Sequence, residues 1–527
     1  MIVLSEIEWG PIDAAEKDDD FADKFIEPDE IKVLASEDLC IIPGEKGSGK
    51  TAFCKGLEVN HGSDYTGFVK IKLDRIEFSA IVKSLSHLAS LTESDSFTYV
   101  CNYWQYVLII KSIDDYFKRY TRNMTLAETR IKNYLIKHGL AESGVTTIML
   151  TLIDKCWGIA TDLTNPNKRL KSKFEIMPSN LEPQIIEQIK DFPIFDPEFV
   201  EISSEFSDLL AKKKQKILIT LDGLDRLNTK SEDKNKRTLQ VIFDGLAQAV
   251  YDVSISEMFK GKIVVKCLFP YDRYLSLPLR DLDKIADKTM ELRWHYESLK
   301  TFLVQRASRH PKMIKSKDFK LVWKEIMPEK VENKYYKVDE QTYDYILRHT
   351  MYRPRHIQIH LKELSKKYSG KTIDPSMISK SISDSSKQLA KNYIREYEID
   401  HPHMNAFLRK LKGMTNILSY SDFRLIIEDL VELYSPEIDV DTKIDLLYKM
   451  SFFGIFEKCD RDDANIEKTN SYKPPRKAGI LPYRFSFQYI DPIDEITNEL
   501  ESDDLIAIHP IFFDYCKLTP HPDFIVG

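Results

Sequence analysis

Seven cysteines are scattered over 527 residues (Cys40, Cys54, Cys101, Cys156, Cys267, Cys459 and Cys516), and none stands in C-x-x-C spacing. An odd, unpatterned set builds neither a disulfide framework nor a zinc site. It suits a reducing compartment, so the expected location is the cytoplasm. No run of ~18 or more uncharged apolar residues occurs, and no membrane-spanning segment or membrane partner is expected. The opening Met1-Ile2-Val3-Leu4-Ser5-Glu6-Ile7-Glu8 lacks a basic stretch and a long apolar core, so no export leader is expected. Charge of one sign is scarce as well: a formal net charge of −7 exerts no global pull toward nucleic acid or an anionic bilayer. Ser-His-Asp and paired-carboxylate hydrolase patterns are missing. His401-Pro402-His403 has no nearby Cys and no second pair, and reads as a loop rather than a metal site.

What is present begins with 43% hydrophobic and 30% charged residues, the balance of a soluble globular protein of roughly two to four domains. An apolar strand pattern, Cys40-Ile41-Ile42-Pro43, runs into Gly44-Glu45-Lys46-Gly47-Ser48-Gly49-Lys50-Thr51, and an amphipathic stretch follows from Thr51 to Val59. The eight residues fit G-x-x-x-x-G-K-[ST] without a departure. A triphosphate crowds negative charge that only converging N–H donors and a cation neutralise at close range. Gly44, Gly47 and Gly49 let the backbone bend so that successive N–H groups point inward, and a helix starting near Lys50 adds its N-terminal dipole. Lys50 is expected to reach the β- and γ-phosphates and Thr51 to present its hydroxyl to Mg²⁺.

A second motif supplies the partner. Gln215 to Leu221 is an apolar strand pattern that ends in Asp222-Gly223-Leu224-Asp225-Arg226. A carboxylate at the carboxyl end of a strand beside the phosphate loop grips Mg²⁺ from the far side, and Asp222 is the candidate. Many P-loop ATPases place a Glu directly after that Asp to activate water; Gly223 stands there instead, which leaves the role to Asp225 or makes hydrolysis slow. The alternative for these acids is a helix cap at Asp222 and a surface ion pair between Asp225 and Arg226.

Other segments complete the pattern. Ile31 to Leu34 reads as a short strand, Phe68 to Leu73 as a strand, and Ile76 to Ile189 as helical, with an aromatic stripe around Trp104 at core spacing. Lys262 to Phe269 is a further strand, and Asp272 or Arg273 just beyond it is a candidate phosphate sensor or else solvated. Lys312 to Lys337 interleaves lysines with Glu and Asp, as a solvated face does. Tyr352-Arg353-Pro354-Arg355 opens a helix with Pro354 in its first turn; Arg353 and Arg355 either face the nucleotide or make structural salt bridges. From about Asp400, helices followed by strands around a long polar loop, Lys458 to Gly479, suggest a winged-helix module with too few basic residues on one face for a DNA claim.

The order of these features resembles a bacterial and archaeal group of P-loop ATPases related to the KAP and STAND classes of AAA-like NTPases. The resemblance rests on Trp9-Gly10 with Asp13-Ala14-Ala15-Glu16, the run Pro43 to Thr51, Leu221 to Arg226, Leu292-Arg293-Trp294, Arg353-Pro354-Arg355 and Ile508-His509-Pro510. Phe269-Pro270-Tyr271 departs from the group, which often carries an Arg after the fourth strand. The resemblance implies an ATP-driven switch, often encoded in anti-phage defence islands, working with a separate effector; ATP rather than GTP is part of that implication. The expected fold is α/β: a P-loop NTPase sheet in 1–75 and 196–295, a helical insertion in 76–195, a helical lid in 296–399 and a winged-helix-like α+β domain in 400–527. The expected cofactors are ATP and Mg²⁺, and the expected assembly is a homo-oligomer. The alternatives are a non-catalytic nucleotide-sensing scaffold or ring-forming assembly protein and, behind it, a DNA-binding ATPase, the one reading that brings in a nucleic-acid partner.

Overall fold

The computed structural model describes residues 2–10, 25, 29–73, 81, 93–120, 124–148, 196–224, 233–275, 277, 282–397, 403–434, 438–458, 483–490, 496–498, 500–502 and 504–522. The chain divides into two compact units. Unit I comprises Asp29–Lys46 and Lys50–Leu292; unit II comprises Met1–Pro28, Gly47–Gly49 and Arg293–Gly527.

Unit I is built on a parallel sheet of β1 (Ile41–Gly44), β2 (Gly67–Lys72), β3 (Ile217–Asp222) and β4 (Ile263–Pro270), in the order β1-β4-β3-β2. The runs Ile-Ile in β1, Ile-Leu-Ile-Thr-Leu in β3 and Ile-Val-Val in β4 are buried along their length, as parallel strands covered on both faces must be. β2 alternates buried and accessible positions, which suits an edge strand with one polar row. Beyond β1, Thr289 bridges Ile41 in parallel, Met290 N–H donates to the Ile41 carbonyl and Leu292 N–H to the Pro43 carbonyl. Residues 289–292 therefore continue the sheet on its other side.

Helices cover this sheet. α1 (Lys50–Asn60) follows the loop after β1. α2 (Glu93–Arg119) carries Trp104, which is fully buried in the shared core as its helical spacing implies. α3 (Leu126–Lys137) starts at a Thr125–Glu128 capping box, and α4 (Pro197–Lys212) starts at the Asp196 cap with Pro197 in its first turn. Burial alone raises Glu128, but the Lys213 ammonium, the Tyr116 hydroxyl and Thr125 all donate to it and hold its carboxyl at about 2. α5 (Asp233–Ile255) packs on α2 so closely that a Cβ on Gly245 would lie 2.7 Å from Val100. One expectation is corrected: the segment at Ile31 to Leu34 is helical, with Asp29–Lys32 in one helical turn and Val33–Ala35 in another. Ile31 and Leu34 are the buried pair and Val33 is exposed, a spacing of three rather than the alternation of a strand.

Unit II carries a hairpin of β5 (Lys330–Asn333) and β6 (Val338–Gln341) and an antiparallel sheet of β7 (Ile417–Ser419), β8 (Phe453–Lys458), β9 (Tyr483–Ser486) and β10 (Leu505–Ile508), in the order β7-β10-β8-β9. Its helices include α6 (Tyr296–Ala307), α7 (Pro354–Lys367), α8 (Pro375–Tyr397), α9 (Tyr420–Tyr434) and α10 (Val440–Lys449). Pro354 occupies the first turn of α7, where its missing N–H is harmless. Lys312, Lys315, Lys317, Lys320, Lys324 and Lys330 are all exposed, as a solvated face requires. Among the described residues, no helix is long and apolar enough to cross a membrane.

Candidate functional site

All four strands of the unit I sheet are parallel, so their carboxyl ends share one edge. Gly44 ends β1, Pro270 ends β4 and Asp222 ends β3. β4 lies between the other two, with Gly44 opposite Pro270 and Leu221 opposite Cys267. At ~4.8 Å per strand step, the backbones of β1 and β3 are about 10 Å apart. Gly44 and Asp222 thus stand on either side of the end of β4, which runs level with Gly44.

The loop from Gly44 to Thr51 joins β1 to the N-terminus of α1, as a phosphate loop must. The Lys50 ammonium is buried and donates to the Gly44 carbonyl at 2.7 Å and the Glu45 carbonyl at 3.0 Å, so the lysine spans the mouth of its own loop. Gly47 and Gly49 adopt φ of +90° and +100°. A Cβ on Gly49 would meet nothing within 4 Å, so conformation rather than space demands glycine there. Ser48 is buried, its carbonyl accepts from the Trp294 indole N–H at 2.7 Å, and its hydroxyl finds no partner among the described residues. A buried hydroxyl in that state, inside a Gly-rich loop at a helix N-terminus, suits an oxygen of an anionic ligand. Glu45 is half-buried and Lys46 exposed.

Helix α1 and the end of β3 are linked through Cys54. Cys54 on α1 lies against Thr220 on β3 and close enough to Asp222 to feel its charge; burial first, and then that carboxylate, push the thiol well above its ordinary value. Thr51 is one helical turn before Cys54 on the same face, and Asp222 is two residues after Thr220 on the same side of its strand. Cys54 thus ties the first turns of α1 to the end of β3. Next to Asp222, Gly223 turns at φ +91°, and a Cβ there would lie 2.8 Å from the Leu73 carbonyl oxygen. A Glu at this place is excluded by the backbone itself. Asp225 lies outside the described residues, and so does its neighbour Arg226.

No family description, curated protein or solved structure matches the chain.

The candidate arginines have separate surroundings. Arg273 follows β4 in the short helix Tyr271–Leu275, 3.8 Å from the Asp272 carboxylate and with its guanidinium 5.9 Å from the Phe243 ring centre. In unit II, Arg353 is buried as the residue that precedes α7, and Arg355 stands in its first turn. A Cβ on Gly47 would lie 3.3 Å from the Arg355 Cβ and 3.8 Å from the Arg353 Cδ, so both arginines flank the loop residue that shares their unit.

Two functional-looking groups escaped sequence reasoning. Lys266, inside the apolar run of β4, is fully buried, and its ammonium donates to the carbonyls of Leu34 at 3.0 Å, Leu39 at 2.5 Å and Ser36. Burial pushes it down to about 8. A lone lysine in an otherwise apolar strand was the available signal. In unit II, His349, His356, His360 and His509 are all buried. The His360 Nε2–H donates to the His349 carbonyl, its Nδ1 faces the Ser385 hydroxyl at 2.7 Å, and His509 meets the Tyr489 hydroxyl at 3.1 Å. Desolvation holds all four imidazoles below their ordinary value, His360 to about 4 and His349 to about 3.

Proposed function

We propose that the chain is a Mg²⁺-dependent ATP-binding and ATP-hydrolysing switch that serves anti-phage defence through a separate effector. The observation that carries the ATP reading is a complete phosphate-loop sequence between β1 and α1 together with Asp222 at the end of β3, whose charge reaches Cys54 on α1. The defence role and the effector rest on the resemblance alone. In this reading Gly44 to Gly49 supply N–H donors to the phosphates and Lys50 exchanges its two carbonyl partners for phosphate oxygens. Thr51 and Asp222 would hold Mg²⁺, which would supply charge neutralisation for the phosphates. Asp225 orients the attacking water, and Arg273, Arg353 and Arg355 are the candidates for sensing the γ-phosphate. The helices of 296–399 act as the lid, and the helix–strand order from α9 to β9 is read as a winged-helix-like module that relays the state in a cytoplasmic homo-oligomer.

The second reading, a scaffold that holds ATP without hydrolysing it, is favoured by one observation. Gly223 is locked by its turn against Leu73, so no carboxylate follows Asp222 directly. Nucleic-acid binding has less support, since Asp422, Asp429, Glu432 and Asp441 are exposed on α9 and α10. The test is ATP binding and steady-state phosphate release by wild type, Lys50→Ala, Asp222→Ala and Asp225→Asn. A switch loses binding or turnover in the first two, and in Asp225→Asn keeps ATP while losing turnover. Equal turnover by Lys50→Ala would overturn the site, and phosphate release absent even from wild type that binds ATP would leave the scaffold.

A further inference from the structure

We propose that Trp294 is a positioning residue for the phosphate loop: its indole N–H holds the Ser48–Gly49 peptide with the Gly49 N–H turned toward the bound phosphate. The proposal rests on the nucleotide-site reading above. Trp294 is 7% exposed, and its Nε1–H donates to the Ser48 carbonyl at 2.7 Å in a buried contact. The ring is itself held edge-on to Phe302, with centroids 5.7 Å apart at 76°. In a planar trans peptide the C=O and the following N–H point in opposite directions. An indole that fixes the Ser48 oxygen on one side of the loop therefore fixes the Gly49 N–H on the other.

The need for a brace follows from the loop's composition. Gly47 and Gly49 both sit at positive φ, and a glycine visits the mirror-image regions almost as readily, so the peptide between them is free to flip. Flipped, it would turn a carbonyl rather than an N–H toward an anion. The indole is a donor only and has no acceptor to offer a flipped N–H, so it stabilises one orientation and not the other. A loop already held in its binding orientation loses less freedom when phosphate arrives.

The test compares wild type, Trp294→Phe and Lys50→Ala in binding of Mg²⁺-ADP and of inorganic pyrophosphate, with the thermal midpoint of the nucleotide-free protein measured alongside. Phenylalanine keeps an aromatic ring beside Phe302 while it removes the donor and the second ring of the indole. The expected result is affinity about tenfold weaker for both probes, the size of one lost buried hydrogen bond, with a nucleotide-free midpoint lowered by only a few degrees. An equal loss on both is required because the peptide faces phosphate and not the base. Affinity within about twofold of wild type would overturn the proposal and leave the site reading standing. Wild type that binds neither probe, like Lys50→Ala, would overturn the site reading and this proposal with it. A measurement on the unaltered protein guards against a variant that fails to fold. The Trp294 indole ¹⁵N–H resonance, identified by replacing the four other tryptophans in turn, is expected to shift when pyrophosphate is added, and a resonance that saturates the loop without moving would overturn the assignment.

Discussion

Gly223→Glu would install the carboxylate that the site lacks, and the structure predicts that it fails. The new Cβ would sit 2.8 Å from the Leu73 carbonyl oxygen and 3.6 Å from the Leu73 nitrogen, a contact with backbone that no side-chain rotation relieves. Leu73 cannot slide away freely, because its N–H donates to the Asp222 carbonyl at 3.2 Å and it extends the edge strand β2. A non-glycine residue at this φ costs about 1–2 kcal/mol, and displacing the Leu73 backbone adds about 1–3 kcal/mol. A total of about 2–5 kcal/mol lowers the melting midpoint of a unit this size by roughly 5–15 °C. The displacement falls on the residue next to Asp222, so Mg²⁺-dependent nucleotide binding weakens and phosphate release does not rise. Gly223→Ala separates the two effects, since it brings the same Cβ without the carboxylate and should lose about as much stability. Calorimetry of nucleotide-free protein and a phosphate-release assay with Mg²⁺-ATP read both quantities. A midpoint within about 2 °C of wild type, or a several-fold gain in turnover, would refute the backbone argument.

Two further outcomes follow from buried titrating groups. Lys266 is held at about 8, below the value of a free lysine, so its contribution to stability is lost as pH falls through 8 and is complete above the unfolded value of 10.5. Unit I is then expected to gain about 3 kcal/mol between pH 8 and 10.5 relative to Lys266→Met, which removes the titration. Calorimetry of the pair across that range checks it, and parallel curves would show that the three carbonyls, not burial, set the proton's affinity. In unit II the four imidazoles have folded values below the ordinary 6.5, so their stabilisation is present above pH 6.5 and lost as pH falls toward 4 and 3. The acid unfolding of the strands Ile417–Ser419 and Leu505–Ile508, followed by hydrogen exchange, should become steep below about pH 5 and shallower by about one proton in His360→Gln.

The sheet and the loop were legible because their signals are local. Ile263 to Phe269 reads as a buried strand from its own residues, and Gly44 to Thr51 from eight consecutive positions. Where local patterns conflict, reading fails: Ile31-Lys32-Val33-Leu34 alternates as a strand would, yet burial of Ile31 with Leu34 selects a helical turn. Features set by distant chain were out of reach. The glycine at 223 is required by Leu73, 150 positions earlier in the chain, the brace on Ser48 comes from Trp294, and the carbonyls around Lys266 come from the segment before β1. The sequence order of Leu292-Arg293-Trp294 marked a place worth noticing, but not the hydrogen bond that makes it useful.

The strand order also sets a timetable for synthesis. β1 finds its neighbour only when β4 is made, since Ile41 pairs with Cys267. At ~5–20 residues per second, the interval between the two is roughly 10–45 s on the ribosome. Through that interval the Ile41-Ile42 segment leaves the exit tunnel with both of its edges unmatched, joined to a Gly-rich loop that has little structure of its own. The helices from Glu93 to Arg119 and from Pro197 to Lys212 emerge meanwhile and have one another, α3, β2 and β3 to bury against, but not β4. A nascent chain stalled before residue 263 is therefore the form of this protein most exposed to chaperones, and to sticking to its neighbours.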